Sequence, residues 1–353
     1  QLIKIEDDGP KAALIEETSG GELRLDESVG AKAGDPNADD EGDPAAHPDA
    51  IGFATAAAGV LFVESVDFGE DGEGGKAYEL VLTGGDGANS GLVDTASGEA
   101  VLLYLEEGVI VGRAAGAKVL TIEIDANTGQ VTVNQFRAVK HDDANDHDES
   151  TSPESIAAGV VGVKLTVTDG DGDVAVSSTV DIGPKIKFED DGPKVELSLK
   201  EGAEIRVDET ANDGDENGSG LLASVTVLGS ALFNATVDAG SDGEFARGYV
   251  LNLNGGNGVD SGLVDTLSGQ NVLLYQEEGQ IVGRAGGPAG AEVFRISIDQ
   301  ATGDVTVTQS RAVVHDDATD PDEADTPKSI NPNLVEVILL ATDGDGDMAG
   351  DIV

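Results

Sequence analysis

Two copies of one acidic pattern fill this chain, and the repetition constrains its fold more than any single motif does. Glu6-Asp7-Asp8-Gly9-Pro10-Lys11 returns letter for letter as Glu189-Asp190-Asp191-Gly192-Pro193-Lys194. His141-Asp142-Asp143-Ala144 returns as His315-Asp316-Asp317-Ala318, and Thr168-Asp169-Gly170-Asp171-Gly172-Asp173 as Thr342-Asp343-Gly344-Asp345-Gly346-Asp347. The period is far longer than a solenoid unit, so each copy, residues 1–184 and 185–353, is expected to be a domain with its own core. Aligned on the repeat, the chain starts inside a linker and stops inside the last strand of the second copy, which reads as a truncated member of a longer array. Carboxylates held at matching points in both copies repel unless a cation lies among them. Calcium is the hard divalent ion that takes many oxygen ligands in loose geometry.

The charge balance narrows the classes further. The formal net charge is -49, from 69 acidic residues against 20 Lys and Arg. Self-repulsion on that scale opposes compaction unless counter-ions are bound. Disorder would be the plain reading of so acidic a chain, but 39% of the residues are hydrophobic and fall in patterned runs. Nucleic acid is excluded as a partner, because a polyanion is repelled by this surface. The longest apolar run, Ile51 to Val63, is too short and broken to span a bilayer, so no membrane insertion is expected. Cysteine is absent, which fits metal cross-links standing in for disulfides.

Period-two alternation marks half-buried antiparallel strands. Leu120, Ile122 and Ile124 alternate with polar residues, as do Phe294, Ile296 and Ile298 in the second copy and Val161, Val163, Leu165 and Val167 in the first. Asp125 to Gly129 and Asp299 to Gly303 read as hairpin turns. Ile51 to Val63 fits either strand or short helix. An acidic, proline-containing insertion at about residues 30–50 distinguishes the first copy and belongs in a surface loop. The expected fold class is all-β, as two tandem calcium-binding β-sandwich domains of immunoglobulin or cadherin type.

The candidate ligands follow from the repeated acids. Asp169, Asp171 and Asp173 alternate with glycines, so three carboxylates fall on one side of a chain free to bend around an ion; Asp343, Asp345 and Asp347 repeat them. An EF-hand is excluded, since its sixth and twelfth positions would be Val174 and Val180 rather than Gly and Glu. The plain alternative is a polar hairpin tip. Glu6, Asp7, Asp8 and Glu189, Asp190, Asp191 follow linkers and point several ways, so they suit ions at a junction; the alternative is a solvated turn. Asp26-Glu27 and Asp208-Glu209 form a further acidic pair in each copy. Asp213, Asp215 and Asn217 match the first half of an EF-hand loop without its terminal Glu. Asp142, Asp143, Asp316 and Asp317 flank one His each, too few for a transition-metal site, with the His as a turn residue. Gly255 to Leu263 resembles one nonapeptide of a calcium β-roll, but without stacked neighbours it reads as a glycine-rich turn. If the chain enters and leaves a sandwich at opposite poles, Asp343, Asp345 and Asp347 should lie beside Glu189, Asp190 and Asp191. Glu6 to Asp8 should lie likewise beside Asp169, Asp171 and Asp173.

No nucleophile-base arrangement and no phosphate loop appear, and aromatics are only 3% of the chain, against the sugar platforms of a glycosidase. An enzyme is not expected. The strings Phe188 to Pro193, Val101-Leu102-Leu103-Tyr104 with Glu106-Glu107-Gly108, Ile110-Val111-Gly112-Arg113, Arg137-Ala138-Val139 before His141, and Thr168 to Asp173 are similar to the long tandem repeats of giant repeats-in-toxin adhesins. That resemblance implies extracellular bacterial modules exported by type I secretion and acting in adhesion or biofilm formation. They would be stiffened by calcium, with neighbouring repeats of the same chain as first partners. It leaves open a binding role toward a cell-surface or matrix ligand, sugar or protein. The isolated module is expected to be a monomer.

Overall fold

The computed structural model describes residues 3–4, 6–27, 50–142, 151–209, 221–316 and 326–353. The insertion and the candidates Asp143, Asp213, Asp215, Asn217 and Asp317 lie outside the described residues. The fold is all-β. Alternation in the sequence becomes alternation in burial: along Val161–Asp169 the four apolar side chains are buried, while Lys164, Thr166 and Thr168 are half-buried. The undecided segment resolves into a strand, Gly52–Ala56, one helical turn, Ala58–Leu61, and a second strand, Phe62–Asp67.

Two compact units form. The first comprises Gln1–Gly192 together with Ala239–Gly243 and Asp343–Asp347; the second comprises Pro193–Asp238, Glu244–Thr342 and Met348–Val353. The repeat register divides the sequence at 184/185, whereas the compact units divide after Gly192, because the linker strand Ile186–Glu189 folds into the first core.

In the first unit a six-stranded antiparallel sheet runs in the order Gly52–Ala56, Val131–Gln135, Ala117–Ile124, Val109–Ala114, Ala100–Glu106, Ala88–Val93. A second sheet is built on the long pair Glu73–Leu82 and Val161–Asp169. A third places the linker strand between Glu154–Ser155 and Leu23–Asp26. Their inner faces share one buried cluster that includes Tyr78, Leu103, Leu120, Leu165, Leu25 and Phe188. The second unit repeats the six-stranded sheet, from Ala223–Val227 and Val305–Gln309 across to Val259–Val264, and the sheet of Glu244–Leu253, Val335–Asp343 and Met348–Ile352. Among its described residues the third sheet has no counterpart. Ile205 to Asp208, which align with Leu23 to Asp26, lie outside any strand.

Candidate metal centre

The linker strand positions the site. Ile186 and Phe188 are fully buried and pair in parallel with Leu23–Asp26, Ile186 opposite Leu23 and Phe188 opposite Leu25. Burial of these two apolar side chains sets the register. It also brings the Glu27 backbone N–H to donate to the Glu189 carbonyl at 3.2 Å. The Glu189 side chain is taken by Arg24, so the acid that reaches the interior with nothing to hold it is Asp190.

Glu27, His141 and Asp190 present ligand atoms within 4.8 Å of one another, and so do Asp190, Asp242 and Asp345. All belong to the first compact unit. Glu27 is 0% exposed, Asp190 3% and His141 4%. One Glu27 oxygen is satisfied three ways: it accepts from Gln135 Nε2 at 2.6 Å and from the Val139 N–H at 2.9 Å, and lies 3.4 Å from His141 Nε2. Its other oxygen, and both oxygens of Asp190, are buried without a hydrogen bond. His141 is placed by an arginine clamp. Arg137 donates to Asp94 through Nε at 2.7 Å and Nη2 at 2.8 Å, and Val139 bridges Asp94 beside it. The His141 N–H then donates to Asp345 Oδ2 at 3.1 Å.

Two glycines let the loops close on this cluster. Gly240 has a φ of +64°, and a Cβ there would sit 1.8 Å from the Asp191 carbonyl oxygen. A Cβ on Gly344 would come within 2.5 Å of the Asp242 carbonyl oxygen. Within the hairpin, Asp343 Oδ1 accepts from the Gly346 N–H at 3.1 Å and the Asp347 N–H at 2.8 Å. Asp343 therefore shapes the turn with one oxygen, and Asp345 is the acid it presents. Asp169 does the same for Gly172 and Asp173.

The electrostatics of the cluster are compatible with a metal ion. Burial, followed by the charges of Asp242, Asp345 and Glu27 and opposed by His141, pushes Asp190 up to about 10. Burial and the Glu27 charge push Asp242 up to about 7, and burial with the neighbouring Asp345 carboxyl does the same to Asp343. A close pair of like charges costs about 4 kcal/mol at 4 Å and an effective dielectric of 20. A buried polar atom without a partner costs roughly 1–3 kcal/mol more. A divalent ion answers both penalties with the same contacts. The donor set of Glu27, Asp190, Asp242 and Asp345 is oxygen, which fits a hard cation.

The same parts recur in halves. Elsewhere in the first unit, Asp7, Asp171 and Asp173 form one cluster and Asp71, Asp169 and Asp171 another. These align with the Asp190, Asp242 and Asp345 side of the centre. The Asp171 charge raises Asp71; shared hydrogen bonds with Asp169 and with Asp7 raise Asp171 and Asp173. In the second unit, Glu209 accepts from Gln309 Nε2 and from the Val313 N–H at 3.0 Å, with His315 Nε2 at 3.9 Å. That is the Glu27 and His141 side, here partly exposed.

Of the acids singled out in the sequence, Glu27, Asp190 and Asp345 meet in the centre, while Asp7, Asp169, Asp171 and Asp173 belong to the two other clusters of the first unit. Asp26 and Asp347 are buried nearby. Glu6, Asp8, Asp142 and Asp208 are exposed, and Asp316 forms an ion pair with Lys328 at 2.6 Å. His141 is a buried neighbour of Glu27 rather than a turn residue. Asp242 and Asp71 escaped the sequence reading. Their signal was an Asp-Gly pair at matching places, Asp71-Gly72-Glu73 and Asp242-Gly243-Glu244. Among the described residues no helix is long and apolar enough to cross a membrane.

The sequence profile of a family described as a domain of unknown function, DUF5801, matches residues 22–183 and again residues 204–353. No curated protein matches the chain.

Proposed function

We propose, for a chain that belongs to the DUF5801 family in both of its copies, a structural role as a calcium-stiffened tandem module of an extracellular bacterial adhesin. The observation that carries this reading is Asp190, a carboxylate 3% exposed with neither oxygen hydrogen-bonded and with Glu27, Asp242 and Asp345 around it. An ion held there ties the linker strand and two loops of the second copy into the first unit. That links occupancy to stiffness along the array. Export in low calcium as a charged, extended chain and folding outside the cell follow from the same linkage. The long acidic repeats and the resemblance to repeats-in-toxin adhesins support the placement at the cell surface.

Calorimetric titration of the chelated chain tests the reading. Calcium should bind with a dissociation constant of roughly 0.1–1 mM, as in other extracellular modules. Asp190→Asn should remove the tightest site while leaving the fold intact. Calcium binding that survives Asp190→Asn unchanged would overturn it. His141 beside Glu27 favours a second reading, a borderline ion such as zinc or nickel, since imidazole suits those metals. Competition among the three ions in the same titration separates the two.

A further inference from the structure

Asp190 belongs to two triads at once. Glu27 and His141 share one with it, Asp242 and Asp345 the other, and within each the ligand atoms lie within 4.8 Å of one another. Ligands on opposite sides of one ion are about 4–5 Å apart, twice a metal–ligand distance of about 2.0–2.6 Å. Each triad therefore has the span of one ion. Asp190 has two carboxylate oxygens, both buried without a hydrogen bond, so it can give one to each. Further buried oxygens without a hydrogen bond fall on both sides of it. They are Glu27 Oε2 in the first triad, and Asp345 Oδ1 with both Asp242 oxygens in the second. An ion placed in one triad leaves the other triad's oxygens unanswered.

We infer that this centre holds two divalent cations bridged by Asp190, calcium against Asp242 and Asp345 and an ion of the zinc class against Glu27 and His141. The two-ion centre rests on the calcium reading above and adds a second ion to it. The donor sets select the two kinds of ion. Asp190, Asp242 and Asp345 offer only carboxylate oxygens, which suit calcium. Glu27 and Asp190 with an imidazole offer the mixed nitrogen and oxygen set that zinc takes. Glu27 is also held as a ligand should be: its Oε1 accepts from Gln135 Nε2 at 2.6 Å and the Val139 N–H at 2.9 Å, which fixes the carboxylate while Oε2 stays without a hydrogen bond. Charge sets the number. Glu27, Asp190, Asp242 and Asp345 carry four negative charges when ionised, and an uncompensated charge in the interior is costly. One divalent ion leaves half of that charge unanswered, and two neutralise it.

The test dialyses the chelated full chain against calcium, zinc or both, and counts bound ions by elemental analysis. Zinc should add one ion per chain to the calcium-loaded protein without releasing calcium. Glu27→Gln should lose that zinc and keep its calcium, and Asp242→Asn should lose one calcium and keep the zinc. Asp190→Asn should weaken both at least tenfold, about 1.4 kcal/mol each. Zinc that displaces calcium one for one would mean a single shared position and overturn the two-ion centre while leaving the calcium reading in place. So would zinc that Glu27→Gln retains unchanged, which would mean binding at other acids, or no zinc on the calcium-loaded chain. A chain that binds no calcium at all would overturn the calcium reading itself, and the two-ion centre with it. Crystals of the native chain grown with both ions need no variant. Anomalous scattering at the zinc edge should place one zinc beside Glu27 and His141, about 4 Å from a calcium; a zinc on the Asp242 side alone would overturn the assignment.

Discussion

The two units carry the same parts in different states of completion. In the first, Leu23 and Leu25 are covered by the linker strand, and Glu27 and His141 face Asp190, Asp242 and Asp345. In the second, Ile205 and Val207 line an open cavity and Glu209 and His315 remain partly exposed. Local hydrogen bonding does not explain the difference, because Gln135, Val139 and Arg137 do for Glu27 and Asp94 what Gln309, Val313 and Arg311 do for Glu209 and Asp265. What differs is that in the first unit the linker strand Ile186–Glu189 and the segments carrying Asp242 and Asp345 lie against these residues. The first copy builds a frame and half a site from its own sequence, and the linker strand and the Asp242 and Asp345 segments complete both.

The largest expected break in that comparison comes from the linker strand. Phe188→Ala empties a fully buried site and should cost about 3–5 kcal/mol in the first unit. Val207→Ala, beside an existing cavity, should cost under about 1 kcal/mol. Denaturant unfolding followed by amide exchange reports the two units separately, and equal losses would mean that the linker strand is not a core element. Removal of the ion ranks next. At a calcium concentration 100 times the dissociation constant, binding stabilises the folded state by about 2.7 kcal/mol, or roughly 5–10 °C in a unit of this size. A chelator should erase that shift in the first unit and leave the second almost unmoved. Equal shifts in both would place the ion elsewhere.

The smallest step, taken per group and per pH unit, is the dependence on pH, and its sign is specific. Asp190 and Asp242 are held at about 10 and about 7, mainly by burial, against about 4 for an unfolded Asp. The ion-free folded state therefore keeps protons that the unfolded state releases. Stability in chelator should fall as pH rises above about 4, by up to about 1.4 kcal/mol per pH unit for each such group. It should flatten for Asp242 above pH 7. Calcium replaces those protons, so its stabilising effect should grow over the same range. Melting curves at pH 5 and pH 8, with and without calcium, check both signs; a chelated protein more stable at pH 8 would sharpen the case for another charge arrangement.

Much of this was legible in the sequence where a long pattern carried it. Val161 to Val167 alternate over enough residues to declare a strand and its buried face. The repeated Glu-Asp-Asp-Gly-Pro and Asp-Gly-Asp-Gly-Asp strings also foretold the neighbourhood of Asp190 and Asp345. The linker strand was harder, because Ile186 to Glu189 offer only two apolar positions, and parallel pairing with Leu23 to Asp26 leaves no turn signal. Ala58 to Leu61 form a single helical turn, below the length at which helical periodicity shows. Asp242 looked like any Asp-Gly turn, since its role depends on Gly240 letting the loop fold against Asp191. His141 looked thin as a lone histidine. Its burial depends on Arg137 and Asp94, whose pairing is long-range.

The parallel linker strand also separates the unit of heredity from the unit of folding. A cut at residue 184, where the repeat begins again, would leave Leu23 and Leu25 facing water. A cut after Gly192 would restore that core yet still lack Asp242 and Asp345. A substitution at Asp345 would likewise be written in one copy and felt in the copy before it. The smallest piece that owns all of its own contacts is therefore longer than the piece that is duplicated.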